Sequence, residues 1–117
     1  MPKFACIVNP AGRDGRALKF WKKNEDILKE KNVEVETIFT EYVGHASEIA
    51  YSLREREDIE CVIACGGDGT VHEVASGLRG SNKKLGIIPA GTGNDVARAH
   101  NIPLKDSQKI VDILING

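Results

Sequence analysis

Three glycine-rich turns, each directly behind an apolar run, constrain the fold of this chain more than any other feature. They are Asn9-Pro10-Ala11-Gly12, Gly66-Gly67-Asp68-Gly69-Thr70 and Pro89-Ala90-Gly91-Thr92-Gly93-Asn94-Asp95. The runs before them end at Val8, Cys65 and Ile88 and are short and apolar, as inner strands of a parallel sheet are. In an open α/β sheet, ligands bind just outside the carboxyl ends of the strands, so three such turns on one edge converge on one site. Glycine lets backbone N–H groups approach an anion with no side chain in the way. The pattern is that of a phosphate cradle.

The rest of the chain alternates in step. Residues 16–31 carry Ala17, Phe20, Trp21, Ile27 and Leu28 at helical spacing. Val33 to Thr40 alternates with Val33, Val35, Thr37 and Phe39 on one side, as a strand does. A second helical stripe, in residues 45–56, is Ala46, Ile49, Ala50 and Leu53, and a third is Val71, Val74, Ala75 and Leu78. The fourth strand spans Leu85 to Ile88. A short helix follows at 95–100, then the Asn101-Ile102-Pro103 turn, then a last helix from about Asp106 to Asn116 that Gly117 is placed to end. Strands alternating with helices predict an α/β fold with right-handed crossovers: three layers, α/β/α, with a parallel sheet in the middle. The expected strand order is 2-1-3-4, which sets the Asn9 and Gly66 turns on either side of the switch point.

The 117 residues suit one nucleotide-binding domain. A net charge of −1 argues against a nucleic-acid binder. Cys6, Cys61 and Cys65 fit buried, reduced thiols. Cys61 and Cys65 are roughly 13 Å apart along a strand, too far to bridge. No apolar stretch approaches the ~18 residues of a membrane span, and the expected location is cytoplasmic. In the last helix, Ile110, Val111, Ile113, Leu114 and Ile115 nearly encircle the axis. Two or three of them are expected to be exposed and to seek a second domain or another copy of the chain.

Within the second turn, Asp68 is the informative residue. A carboxylate among phosphate-cradling amides repels a phosphate, unless it binds Mg²⁺ or acts on the hydroxyl that receives the phosphoryl group. It also suits a plain strand-to-helix turn. Thr70 and Glu73 fit a capping box, and Glu73 equally suits a ribose contact. Asp95 fits an N-cap. Arg13 and Arg16 are candidate phosphate contacts or solvated charges. There is no G-x-x-x-x-G-K-[ST] loop, no G-x-G-x-x-G and no G-x-S-x-G, so P-loop chemistry, ordinary NAD binding and hydrolase chemistry are disfavoured.

Taken together, the chain resembles the diacylglycerol kinase catalytic domain family of bacterial-type diacylglycerol and other lipid kinases, sphingosine kinases and ceramide kinases. Four motifs in register carry the resemblance: Asn9-Pro10 with Gly12; Thr40-Glu41 with Gly44-His45-Ala46; Gly66 to Thr70 with Glu73; and Pro89 to Asp95 with Ala97-Arg98. The resemblance implies ATP and Mg²⁺ as cofactors and a lipid hydroxyl, such as that of diacylglycerol, as acceptor. It places Asn9, Thr40, Gly67 and Glu73 on the nucleotide and Asp68 near the reaction, with Asp68 as the possible Mg²⁺ ligand. The candidate nucleotide-site set is completed by Pro10, Gly12, Arg16, Gly66, Gly69, Thr70, Gly91, Thr92, Gly93 and Asn94. Related NAD kinases share a Gly-Gly-Asp-Gly turn, and a NAD kinase fragment or a regulatory nucleotide-binding module are the competing readings. The resemblance also implies a second, β-rich domain that closes the cleft and holds lipid at a membrane surface. Without it, catalysis by these residues alone is not expected.

Overall fold

The computed structural model describes residues 3–91 and 93–116. The nucleotide contact expected at Thr92 and the helix stop expected at Gly117 lie outside the described residues. β1 (Lys3–Val8) leads through a tight turn, Gly12–Gly15, into α1 (Arg16–Glu30). β2 (Glu34–Phe39), α2 (His45–Leu53), β3 (Cys61–Gly66) and α3 (Asp68–Leu78) follow, then β4 (Lys84–Pro89), α4 (Asp95–Ala99) and α5 (Ser107–Asn116). The four strands form one sheet in the order β2-β1-β3-β4, and all three pairings are parallel. This is the order expected from the alternation of runs and stripes.

Side-chain alternation along the strands divides the core in two. On one face Phe4, Cys6, Val8, Ile63 and Cys65 meet Trp21 and Leu28 of α1 and Ile110, Val111 and Leu114 of α5. On the other, Ala5, Ile7, Val62 and Ala64 meet Ile49 and Leu53 of α2 and Val71, Val74 and Leu78 of α3. The architecture is therefore three-layered, α/β/α. All six residues of β3 are buried, since it is covered on both faces and paired on both edges. The three cysteines are free and buried, and burial pushes the Cys61 thiol up to about 12. Among the described residues no helix is long and apolar enough to cross a membrane.

Three local expectations are corrected. α2 stops at Leu53 rather than 56; the chain turns from Arg54, and Arg56, beyond the helix end, pairs with Glu36 and Asp58. α3 begins at Asp68, with Gly67 in the N-cap position and no side-chain cap. Thr70 therefore sits inside the first turn, and the Thr70–Glu73 capping box does not form. In α5, Ile110, Val111 and Leu114 are buried and Ile115 packs half-buried on the same core. Only Ile113 stands exposed, because the other four share the stripe that meets the sheet and α1.

Candidate functional site

The turns after β1, β3 and β4 lie together at the carboxyl edge of the sheet. Two backbone bonds hold them in line: the Asn9 N–H donates to Cys65 O (3.4 Å) and the Ala90 N–H to Gly66 O (3.0 Å). Around them opens a cavity of about 480 Å³ lined by Asn9, Gly12, Arg13, residues 67–70, Gly91 and Gly93. The first residues of α3 form one wall, so its unpaired N–H groups and positive dipole end face the space, an arrangement that favours anions. The loop after β1 is tightly wound: Arg13 and Asp14 both take left-handed backbone conformations, followed by Gly15 at φ +89°. The Asn9 side chain fixes its start by accepting the Ala11 N–H at 3.2 Å.

The second and third turns touch. A Cβ on Gly91 would stand 2.1 Å from the Cα of Gly67, and a Cβ on Gly66 would meet the Thr70 hydroxyl at 2.7 Å. Here glycine is demanded by one turn pressing on another as well as by access to an anion. Asn94 holds the third turn shut: its side chain accepts the Gly91 N–H (3.0 Å) and donates to Gly91 O (2.9 Å) while its backbone is left-handed.

Asp68 joins the same contact in a way the sequence did not disclose. Its two carboxylate oxygens accept the Asp95 N–H (2.8 Å) and the Val96 N–H (2.9 Å), so it caps α4 from another element. Asp95 is therefore not the cap of its own helix; its carboxylate faces Arg98 at 3.9 Å. The Val96 amide, then the Asp95 amide, hold the Asp68 carboxyl below its ordinary value, against the opposing effect of burial. It is ionised at neutral pH and anchored.

A second cavity, of about 290 Å³, adjoins the first and shares Asn9 and Thr70 with it. Pro10, Thr40, Glu41, Tyr42, Val43 and Glu73 also line it. With no capping role, the Glu73 side chain is left to this wall. Tyr42 stacks on His45 with ring centroids 4.3 Å apart, and His45 Nδ1 accepts the Glu41 N–H at 2.9 Å. Sequence reasoning passed over Tyr42, although its place between Thr40 and His45 in the second motif marks it. Arg16 stands apart from both cavities: it lines a third cleft on the α1 side, which Arg13 alone shares with the first.

Comparison with known proteins agrees with the fold. The family model of the diacylglycerol kinase catalytic domain matches residues 3–117. A diacylglycerol kinase of Bacillus subtilis (strain 168) is 38% identical over 122 residues, covering 100% of this chain and 39% of the relative. A diacylglycerol kinase of Mycobacterium tuberculosis (strain H37Rv) is 34% identical, covering 98% of this chain and 37% of its own length. A crystal structure of a diacylglycerol kinase from Bacillus anthracis superposes with a TM-score of 0.83 at 26% identity, over 98% of this chain and 40% of that one. The chain thus spans about two fifths of the length of the relatives it matches. With a family match over residues 3–117, the chain belongs to the diacylglycerol kinase catalytic domain family.

Proposed function

We propose that this chain is the ATP-binding part of a lipid kinase that transfers the γ-phosphate of ATP to a lipid hydroxyl such as that of diacylglycerol. The observation that carries the reading is the wall of Asn9 and Thr70 shared by the two cavities. One cavity, lined by open glycine backbone and a helix N-terminus, suits phosphates. The other, with Thr40, Glu73 and the aromatic face of Tyr42, suits a ribose and a planar base. A nucleoside triphosphate has these two ends, and adjoining spaces that share a wall suit them.

The donor set fits Mg²⁺ carried in with the nucleotide. Such an ion takes one or two carboxylates and completes its shell with phosphates and water. Asp68 supplies one ionised carboxylate at the phosphate cavity, while the described residues hold no cluster of three His, Cys, Asp or Glu for a resident metal. Asp68 would hold such an ion at the phosphate cavity, where it would supply positive charge to offset that of the phosphates. An ionised Asp68 would equally suit a role on the acceptor hydroxyl, and its anchoring on α4 keeps it ionised for either task. The relatives' remaining three fifths would supply the acceptor side, including a β-rich domain.

Calorimetry tests the donor half. The 117-residue chain is expected to bind ATP with Mg²⁺ at about 0.1–1 mM, which corresponds to roughly −4 to −5.5 kcal/mol. In a longer chain completed with a family-type second domain, Asp68→Asn is expected to lower lipid phosphorylation by about 10³-fold or more, with the sheet retained and the α4 cap weakened, since the amide keeps one accepting oxygen where the carboxylate has two. No affinity for ATP at millimolar concentration, or a fully active Asp68→Asn enzyme, contradicts the assignment.

A further inference from the structure

Among the described residues two charged side chains line the phosphate cavity, Arg13 and Asp68; the rest of its lining is glycine, Asn9 and Thr70. Asn9 and Thr70 form the wall shared with the neighbouring cavity, which Arg13 and Asp68 do not line. Both charges therefore belong to the part of the phosphate cavity away from Thr40, Tyr42 and Glu73. The Asp68 carboxylate is engaged by the α4 amides. Arg13 has no ion-pair partner among the described residues, whereas Arg98 faces Asp95 at 3.9 Å and donates to Gly93 O at 2.7 Å. The Arg13 backbone is the unusual feature. It stands at φ +51°, ψ +44°, and Asp14 follows at φ +57°, ψ +39°. Aspartate tolerates this left-handed region; arginine rarely enters it. The loop is tied on both sides, with the Gly12 N–H donating to Asn9 O (3.1 Å) and the Arg16 N–H to the Gly12 and Arg13 carbonyls. Glycine would make the same turn without strain. Strain of this kind gathers at ligand clamps, and here it sets a cation at the mouth of an anion cavity.

We propose that Arg13 grips the terminal phosphate of the bound nucleotide, so that the site tells a nucleoside triphosphate from the diphosphate left after transfer. This rests on the reading of the two cavities as a nucleotide site and adds the residue that senses the third phosphate. A nucleotide with its base beside Tyr42 and its ribose beside Glu73 crosses the shared wall of Asn9 and Thr70 with its first phosphate. The phosphates that follow run along the glycine backbone, and the last reaches the part of the cavity that Arg13 and Asp68 line. Backbone amides and a helix N-terminus attract every phosphate alike, so they do not count phosphates. A guanidinium at the far end does, because a diphosphate stops short of it. The fixed negative charge of Asp68 repels a terminal phosphate, and Arg13 supplies the opposing charge in the same cavity. Once the terminal phosphate has been transferred, that grip is gone and the diphosphate leaves more readily.

Titration of the 117-residue chain with ATP, ADP and AMP in the presence of Mg²⁺, followed by amide NMR shifts, tests it. The wild-type chain is expected to bind ATP about tenfold or more tighter than ADP. Arg13→Ala is expected to lower ATP affinity about tenfold and ADP affinity less than about twofold, so that the preference disappears. Arg13→Gly suits the left-handed backbone better than arginine does. It is expected to keep or raise the denaturation midpoint and to lose the preference all the same, which a purely structural role for Arg13 would not produce. Lys19→Ala removes an equal charge from the third cleft, outside the phosphate cavity, and is expected to leave the preference unchanged. Equal loss of ATP and ADP affinity in the Arg13 variants, a preference preserved in Arg13→Gly, or the same loss in Lys19→Ala overturns this proposal and leaves the nucleotide site standing. Failure of all three nucleotides to bind the wild-type chain overturns the functional reading and this proposal with it.

Discussion

Gly91 shows what the third turn requires of a single residue. Its missing side chain admits Gly67 so closely that a Cβ would lie 2.1 Å from Gly67 Cα and 2.7 Å from Gly67 N. Both neighbours are backbone, so no side-chain rotation relieves the clash. Gly91→Ala is expected to cost about 1–3 kcal/mol of stability by overpacking. It is also expected to weaken ATP binding at least about tenfold, because the β3 and β4 turns must separate and the cradle loses its shape. Gly69 is the matched control: nothing lies within 4 Å of its Cβ position and its backbone is helical. Chemical denaturation and ATP titration of both variants check the contact, which is refuted if Gly91→Ala is as mild as Gly69→Ala. The sequence marks both glycines as belonging to a phosphate cradle. It does not distinguish the one that admits a neighbouring turn from the one that faces open space.

At the scale of elements, Gly77 reverses the usual expectation for glycine in a helix. In an exposed helix interior, Gly→Ala stabilises by about 1 kcal/mol. Gly77 instead lies where α3 crosses α2, and a Cβ there would meet Ser47 O at 2.5 Å and Ala50 Cβ at 2.7 Å. Gly77→Ala is therefore expected to destabilise by about 1–3 kcal/mol, since the two helices must move apart. A denaturation midpoint that rises in this variant would show that the helices are not so close. The existence of each helix was legible, because stripes such as Ala46, Ile49, Ala50 and Leu53 state which face is buried. The helix ends were less so. Thr70 and Glu73 have the spacing of a capping box, but Gly67 opens α3 and the Asp68 carboxylate caps α4, 27 residues along the chain. A cap supplied from another element leaves no local signal.

For the whole molecule, alternation and strand burial made the sheet order legible, since a parallel sheet with a switch point leaves few arrangements of four strands. The candidate site followed from that order, as far as Asn9, Thr40, Asp68 and Glu73 lie at one edge. The placing of Arg16 on another cleft was not legible, because a residue at the start of a helix can face either side of its loop. The apolar last helix illustrates the same limit. Two or three of its five apolar residues were expected to be exposed, whereas the sheet and α1 take up four of them. What remains around the open edge strand β4 is Ile113, 41% exposed, and Leu85, 38% exposed, beside a groove of about 430 Å³. Covering these two side chains on each of two copies offers about 1 kcal/mol apiece, half or less of a full burial. The sum of about 4 kcal/mol corresponds to a dissociation constant near 1 mM, before any loss of rotational and translational freedom. The chain is therefore expected to sediment as a monomer at about 10 μM, with any association through this edge weaker than about 1 mM and abolished by Ile113→Lys. A stable dimer at micromolar concentration, unaffected by Ile113→Lys, would mean that copies meet through another face.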